Sequence, residues 1–212
     1  MNDATSCTPC PCLARETDAR SGRRLEYFTL SWNVTEAVVS ITAGYVAGSI
    51  ALRGFGADSV IESLSSLVLL WRLQSHGVDE HRERLAVRLV GVCFLILAAY
   101  IALDAALSLI RREPPHASFV GVTLSVVSLI VMPLLARAKR RVAARLDSPA
   151  LAADSRQADF CAYLSAILLV GLALNAAFGW WWADPVAAIV MVPIIIRAGT
   201  QGLRGEVCDD CH

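Results

Sequence analysis

The residues best able to do chemistry here are acids set among apolar neighbours. In Phe55-Gly56-Ala57-Asp58-Ser59-Val60-Ile61-Glu62, two carboxylates stand four residues apart. On a helix that spacing puts both on one face. Two like charges so close in a medium of low dielectric repel unless a proton or a cation sits between them. A divalent cation satisfies both at once; the alternative is a structural pair near a helix end, hydrogen-bonded to a neighbouring helix. Upstream, Trp32-Asn33-Val34-Thr35-Glu36 sets an amide and a third carboxylate three residues apart, again on one face. Asn33 suits an interhelical hydrogen bond. Glu36 demands more compensation and joins the candidate metal ligands.

Downstream, Asp154, Gln157, Asp159 and Cys161 fall close together. A thiolate is a soft ligand that suits zinc, cadmium or copper(I), although a single cysteine also serves as a small buried hydrophobe. At ~100° per residue, Asp159 and Cys161 point in nearly opposite directions around a helix, so only one of them faces the acid pair. Cys93 has no polar neighbours at helical spacing and reads as packing. Asp104 reads as structural, snorkelling or pairing with Arg111.

The tails form a second constellation. Cys7, Cys10 and Cys12 make a CxxCxC string, and Cys208, Cys211 and His212 make a terminal CxxCH. A C-x-x-C pair chelates one metal through both sulfurs; thiol redox chemistry or a disordered tail are the other readings. Haem attachment fails, because the tail is predicted to be cytoplasmic and no fold follows it. Seven cysteines clustered at two ends do not resemble the disulfide framework of a secreted domain.

These residues must be positioned by membrane helices. The 212-residue chain is 56% hydrophobic and 18% charged, with mean hydropathy +0.54. A soluble domain is about 45–50% apolar and about 25% charged. A net charge of zero gives no bulk electrostatic reason to expect nucleic acid. Residues 1–28 are polar, carry Arg15, Arg20, Arg23 and Arg24, and have no apolar run for a signal peptide. A span needs about 20 mostly apolar residues, and six segments qualify: about 29–52, 57–73, 85–110, 117–136, 158–178 and 185–203. Carboxylates inside such segments cost at least about 2.5–3.5 kcal/mol each at the helix centre, so they persist when they pair, bind an ion or face water.

The expected breaks have physical causes. Arg53-Gly54-Phe55-Gly56 offers a tight turn between the first two spans. Pro114 and Pro115 cannot continue the third helix. Trp180, Trp181 and Trp182 make an interfacial belt. Asp184 before Pro185 reads as an N-cap with proline at the first helical position, and Pro193 is expected to kink the last helix. With six spans both termini share one side. That side gathers the N-terminal arginines, Arg82, Arg84, Arg137, Lys139, Arg140, Arg141, Arg145 and Arg156, against Arg53, Arg111 and Arg112 opposite. Short basic loops stay in the cytoplasm. The expectation is an all-α polytopic membrane protein: a six-transmembrane-helix bundle over 29–203, with cytoplasmic cysteine-containing tails at 1–28 and 204–212.

The sequence resembles the cation diffusion facilitator (cation efflux) family. The family's paired acids of helix two fall on Asp58 and Glu62, in the context Gly56-Ala57-Asp58-Ser59. Its helix-five pair, His-x-x-x-Asp followed four residues on by a small polar residue and then a Gly-containing apolar run, falls on Gln157 and Cys161, with Ser165 and Gly171 as the continuation. The Asp184-Pro185 opening is also similar. The resemblance implies six helices with cytoplasmic termini, a mid-membrane metal site, proton-coupled export of zinc or related divalent ions, and a homodimer in the cell membrane. Two departures stand out: helix five lacks the usual His and Asp, and the chain ends about nine residues after helix six, where the family carries a cytoplasmic metal-binding domain. Trp32-Asn33-x-x-Glu36 and Trp71-Arg72 point to a divergent branch.

The expected function is therefore transport of a divalent, thiophilic cation. Zinc comes first and cadmium next, bound as substrate by Asp58, Glu62 and Cys161 with Gln157, Asp159 or Glu36, and the tail cysteines collect ions. The competing reading is a membrane metal sensor or partner subunit that binds but does not cycle. No nucleophile–base pair or organic-cofactor motif argues for an enzyme.

Overall fold

The computed structural model describes residues 11–74, 80–112, 115–146 and 148–204. They form six helices: α1 (Pro11–Ala47), α2 (Ile50–Gln74), α3 (Glu80–Arg111), α4 (Phe119–Leu146), α5 (Pro149–Phe178) and α6 (Ala183–Arg204). The all-helical expectation holds. Among the described residues, four stretches are long and apolar enough to cross a membrane: Arg88–Arg111, Phe119–Leu146, Asp154–Phe178 and Ala183–Leu203. Among the described residues α1 and α2 give no such stretch, and they carry Glu36, Asp58 and Glu62.

The surface is inverted relative to a soluble protein. Val38, Ile96, Leu103, Phe119 and Val170 are exposed, whereas Asn33, Glu36, Ser40, Asp58, Ser59, Glu62, Ser66, Ser125, Ser128 and Ser165 are buried. In water this arrangement would be costly; in lipid it is the stable one, because polar side chains must find partners inside the bundle.

Helix α1 packs most extensively on α2, α4 on α5, and α3 on α6. The first reversal lies elsewhere than the glycine pair suggests. The turn expected at Arg53–Gly56 is inside α2, and the chain reverses at Gly48, whose φ of 68° suits a residue without Cβ. Gly56 has a packing role instead. A Cβ there would lie 2.7 Å from Ile41 Cγ1 and 2.9 Å from Ser40 Cβ, so its absence lets α1 and α2 approach closely.

Asp184 also does something other than expected. Helix α6 starts at Ala183, and the Asp184 carboxylate crosses to α2, accepting from the Ser49 hydroxyl and from Ile50 N at 2.8 Å. It satisfies the first amide of a different helix. Pro193 lies inside α6.

At the end where α1 begins and α6 ends, α1 and α5 run past their apolar segments. Val142, Ala143 and Leu151 form a small second core there, with Leu25 against it. Ser148 caps α5, its hydroxyl accepting from Leu151 N, with Pro149 just inside. Hydropathy marks where lipid would end; it does not mark where a helix ends.

Candidate metal centre

Three helices deliver the site. On α2, Asp58 and Glu62 project together as their four-residue spacing requires; on α5, Cys161 faces them. One ligand atom from each of Asp58, Glu62 and Cys161 can be chosen so that all three lie within 4.8 Å of one another, and all three residues are buried. Helix α1 closes the group. Glu36 Oε2 accepts from Ser59 Oγ at 2.8 Å and from Cys161 Sγ at 3.8 Å. Asn33 Nδ2 donates to Glu62 Oε2 at 3.1 Å, the interhelical bond expected of it. On the far side of Cys161, Ser165 bonds Ser128 of α4 at 3.1 Å, tying α4 to α5 at this level.

Two carboxylates and a thiol in a buried cluster, with a third carboxylate at its edge, form a donor set of hard oxygen and soft sulfur. Hydrogen bonding around it is incomplete: Glu36 Oε1, Asn33 Oδ1 and Ser40 Oγ are buried with no hydrogen-bond partner. Buried polar groups are rarely left so, and oxygens in this state are available to a cation. The donor types match a divalent transition ion, for which carboxylate oxygen and thiolate sulfur bind at about 2.0–2.3 Å in tetrahedral geometry.

The remaining sequence candidates fall outside the cluster. Asp159 points the other way around α5, as helical geometry demands, and pairs with Arg140. Gln157 lies one turn from Cys161, and its Oε1 accepts from Ser65 Oγ at 3.2 Å. Asp104 pairs with Arg53 at 3.0 Å, a partner the sequence reading did not name; Arg53 also sits over the Tyr45 ring. These last residues line a separate cavity of about 360 Å³ with Arg111 and His116. Cys93 is exposed. Cys7, Cys10, Cys208, Cys211 and His212 lie outside the described residues, and of Cys12 only the backbone is described.

Sequence reasoning missed three contributors. Ser59, adjacent to Asp58, orients Glu36. Lys139 was expected in a basic loop but is fully buried in α4, between Glu26 and Asp154. Nothing in the run Arg137 to Arg141 distinguishes the one inward-facing cation. Glu26 was legible: Glu26, Thr29, Asn33, Glu36 and Ser40 recur every three or four residues, the period of one helix face, and all five are buried.

Residues 27–204 match the cation efflux transmembrane domain. Among curated proteins the chain is 26% identical to an uncharacterized transporter of Synechocystis sp. over 85% of this chain and 62% of that protein. It is 26% identical to transmembrane protein 163 of Xenopus laevis, over 86% of this chain and 66% of that one. A cadmium, cobalt and zinc/H(+)-K(+) antiporter of Bacillus velezensis is also 26% identical, with 80% of this chain and 57% of the relative covered. The chain thus spans roughly three fifths of the length of the curated relatives it matches. It belongs to the cation efflux family, whose members are membrane-embedded transporters of divalent metal cations and not enzymes.

Proposed function

We propose that this cation efflux protein moves a thiophilic divalent cation, zinc or cadmium before manganese or magnesium, out of the cytoplasm in exchange for protons. The observation that carries the reading is the buried meeting of Asp58, Glu62 and Cys161. Glu36 supplies a fourth donor from α1. Ligand type and geometry, more than raw affinity, set selectivity among divalent ions. Replacing a carboxylate by a thiolate at Cys161 moves the preference toward softer metals.

Proton exchange follows from the same chemistry. Carboxylates and a thiol hold metal only when deprotonated, so protons arriving from the far side compete the ion off. Alternating access of the α1–α2–α5 site to the two faces then couples the flows. The excess of Lys and Arg at the end bearing the chain termini supports their placement in the cytoplasm, with the bundle in the cell membrane. A homodimer is the assembly proposed.

The test is metal-stimulated proton flux in proteoliposomes loaded with a pH dye. Asp58→Asn and Glu62→Gln should each abolish zinc-dependent flux, and flux unchanged in both rejects the site. One observation favours a second reading, a sensor or partner subunit that binds without cycling: Gln157, which holds the position of the family's helix-five His, bonds Ser65 instead of entering the cluster. Zinc binding by purified protein with no flux in liposomes would select that reading.

A further inference from the structure

Toward the end of the bundle that bears the chain termini, a second buried charged group faces the same interior. Lys139 of α4 sits with its Nζ 3.1 Å from Glu26 Oε1 and 3.2 Å from Glu26 Oε2 of α1, and it also pairs with Asp154 Oδ2 of α5. Glu26 and Lys139 are fully buried. Two carboxylates face one ammonium, so one negative charge has no partner within the triad. A buried charge without compensation is costly, and the group takes up a proton instead.

The other charged residues of the packed elements have different places. Arg140 pairs with Asp159, and Arg145 with Asp18. Arg20, Arg24, Arg137, Arg141, Arg156 and Arg197 are exposed, and Arg23 is half-buried. On α2, Glu62 accepts from Asn33, Asp58 lies in the metal cluster and Arg53 pairs with Asp104, while Asp184 of α6 caps α2.

The triad and the metal cluster share a lane. Glu26 begins the buried polar face of α1 that continues through Thr29 and Asn33 to Glu36. Asp154 precedes Cys161 by seven residues, two helical turns, so both lie on one face about 10 Å apart along α5.

We propose that the Glu26–Lys139–Asp154 triad is a proton site distinct from the metal ligands: Glu26 holds a proton while the cluster is empty and releases it when a divalent cation settles between Asp58, Glu62 and Cys161. The proton leaves a Glu26 carboxyl oxygen for water at the terminus-bearing end, and the carboxylate left behind is held by Lys139 and by the field of the new dication. No other bond changes. Glu26 precedes the first span, and burial lifts its carboxyl to about 8, with Asp154 pushing the same way and Lys139 opposing. A group so raised is protonated at neutral pH and gives up its proton when positive charge arrives.

This rests on Asp58, Glu62 and Cys161 being the cation site, and calorimetry separates the two claims. Zinc is titrated into purified protein at pH 7 in buffers of different ionisation enthalpy, giving affinity and protons released per ion. Glu26→Gln should keep zinc affinity within a few fold of the parent while releasing close to one fewer proton. Asp154→Asn should show the same loss, because Lys139 then pairs with Glu26 alone and no proton is needed; it decides the matter if Glu26→Gln does not fold. A proton count equal to the parent's in the folded variants overturns the proton site, since a merely structural triad would alter the melting temperature and not the count. Absence of zinc binding by the parent overturns the cluster itself, and this inference falls with it.

Discussion

Asp58→Asn should make the empty protein more stable while destroying its response to metal. The ligand atoms of Asp58 and Glu62 lie within 4.8 Å of each other in a buried site. Two unit charges at that distance repel by about 3.5 kcal/mol at an effective dielectric constant of about 20. Protonating one of them at pH 7 is no escape. At about 1.4 kcal/mol per pH unit above an ordinary carboxyl pKa, it costs about as much. The metal-free protein therefore carries a penalty of about 3 kcal/mol that an asparagine does not incur. Allowing for altered hydrogen bonds, the net gain should be about 2 kcal/mol, or about 5 °C in melting temperature for a chain of this size.

Zinc should reverse the order. At one hundred times its Kd, a ligand that binds only the folded state adds about 2.7 kcal/mol. The parent then overtakes the variant, which gains nothing measurable. The assay is thermal unfolding in detergent micelles, followed by the fluorescence of the chain's five tryptophans, with chelator and then with zinc. An Asp58→Asn protein that melts no higher than the parent in chelator refutes the repulsion argument. Equal zinc stabilisation of both proteins refutes the metal site.

Other outcomes follow from the same geometry. Restoring the family's helix-five pattern with Cys161→Asp and Gln157→His should lower the cadmium-to-manganese affinity ratio at least tenfold; an unchanged ranking in competition binding would mean that Cys161 only packs. Gly56→Val forces Ile41 and Ser40 away from α2, and should cost about 1–3 kcal/mol by overpacking and weaken zinc binding by separating Glu36 from Ser59. Asp184→Ala removes the acceptor for Ser49 and Ile50 N, and should cost about 1–2 kcal/mol with zinc affinity unchanged, because the cap sits away from the cluster. Deleting residues 1–12 and 206–212, which removes the tail cysteines, should lower metal resistance of an expressing host without abolishing flux in liposomes; unchanged resistance across a metal panel would mean that the tails collect no ions.

The helices and the acid pair were legible in the sequence because each is written locally. Apolar runs of span length and the four-residue spacing of Asp58 and Glu62 need only helical geometry to be read. Cys161 came from its register against Ser165 and Gly171; helical geometry set Asp159 on the opposite side of α5 but left open which of the two faces the acid pair, and the fold gives that place to Cys161. Partners from other helices were not legible. Nothing near Asp184 in the chain indicates that it caps α2, and nothing near Asp104 indicates Arg53. Gly54 and Gly56 read as a turn, and their actual close packing, Gly54 on Ile101 of α3 and Gly56 on Ser40 and Ile41 of α1, depends on helices that the local sequence does not name.

Lys139 shows most plainly why charge alone misleads in a membrane protein. Counted among its neighbours, it is one more cytoplasmic positive charge. In the fold it is an interior cation, held between Glu26 and Asp154 two turns of α5 from a cluster that needs a cation of its own. The interior thus has two places that require positive charge, and the protein supplies it permanently at only one. At Lys139 the charge is covalent and cannot leave. At Asp58, Glu62 and Cys161 it must come from outside, as protons or as metal. A lysine at the cluster as well would compete with an incoming cation for the carboxylates of Asp58 and Glu62. On the proposed reading, a cluster with no fixed cation of its own, and with Glu36 Oε1 and Asn33 Oδ1 unpartnered beside it, can take up a metal ion and give it back.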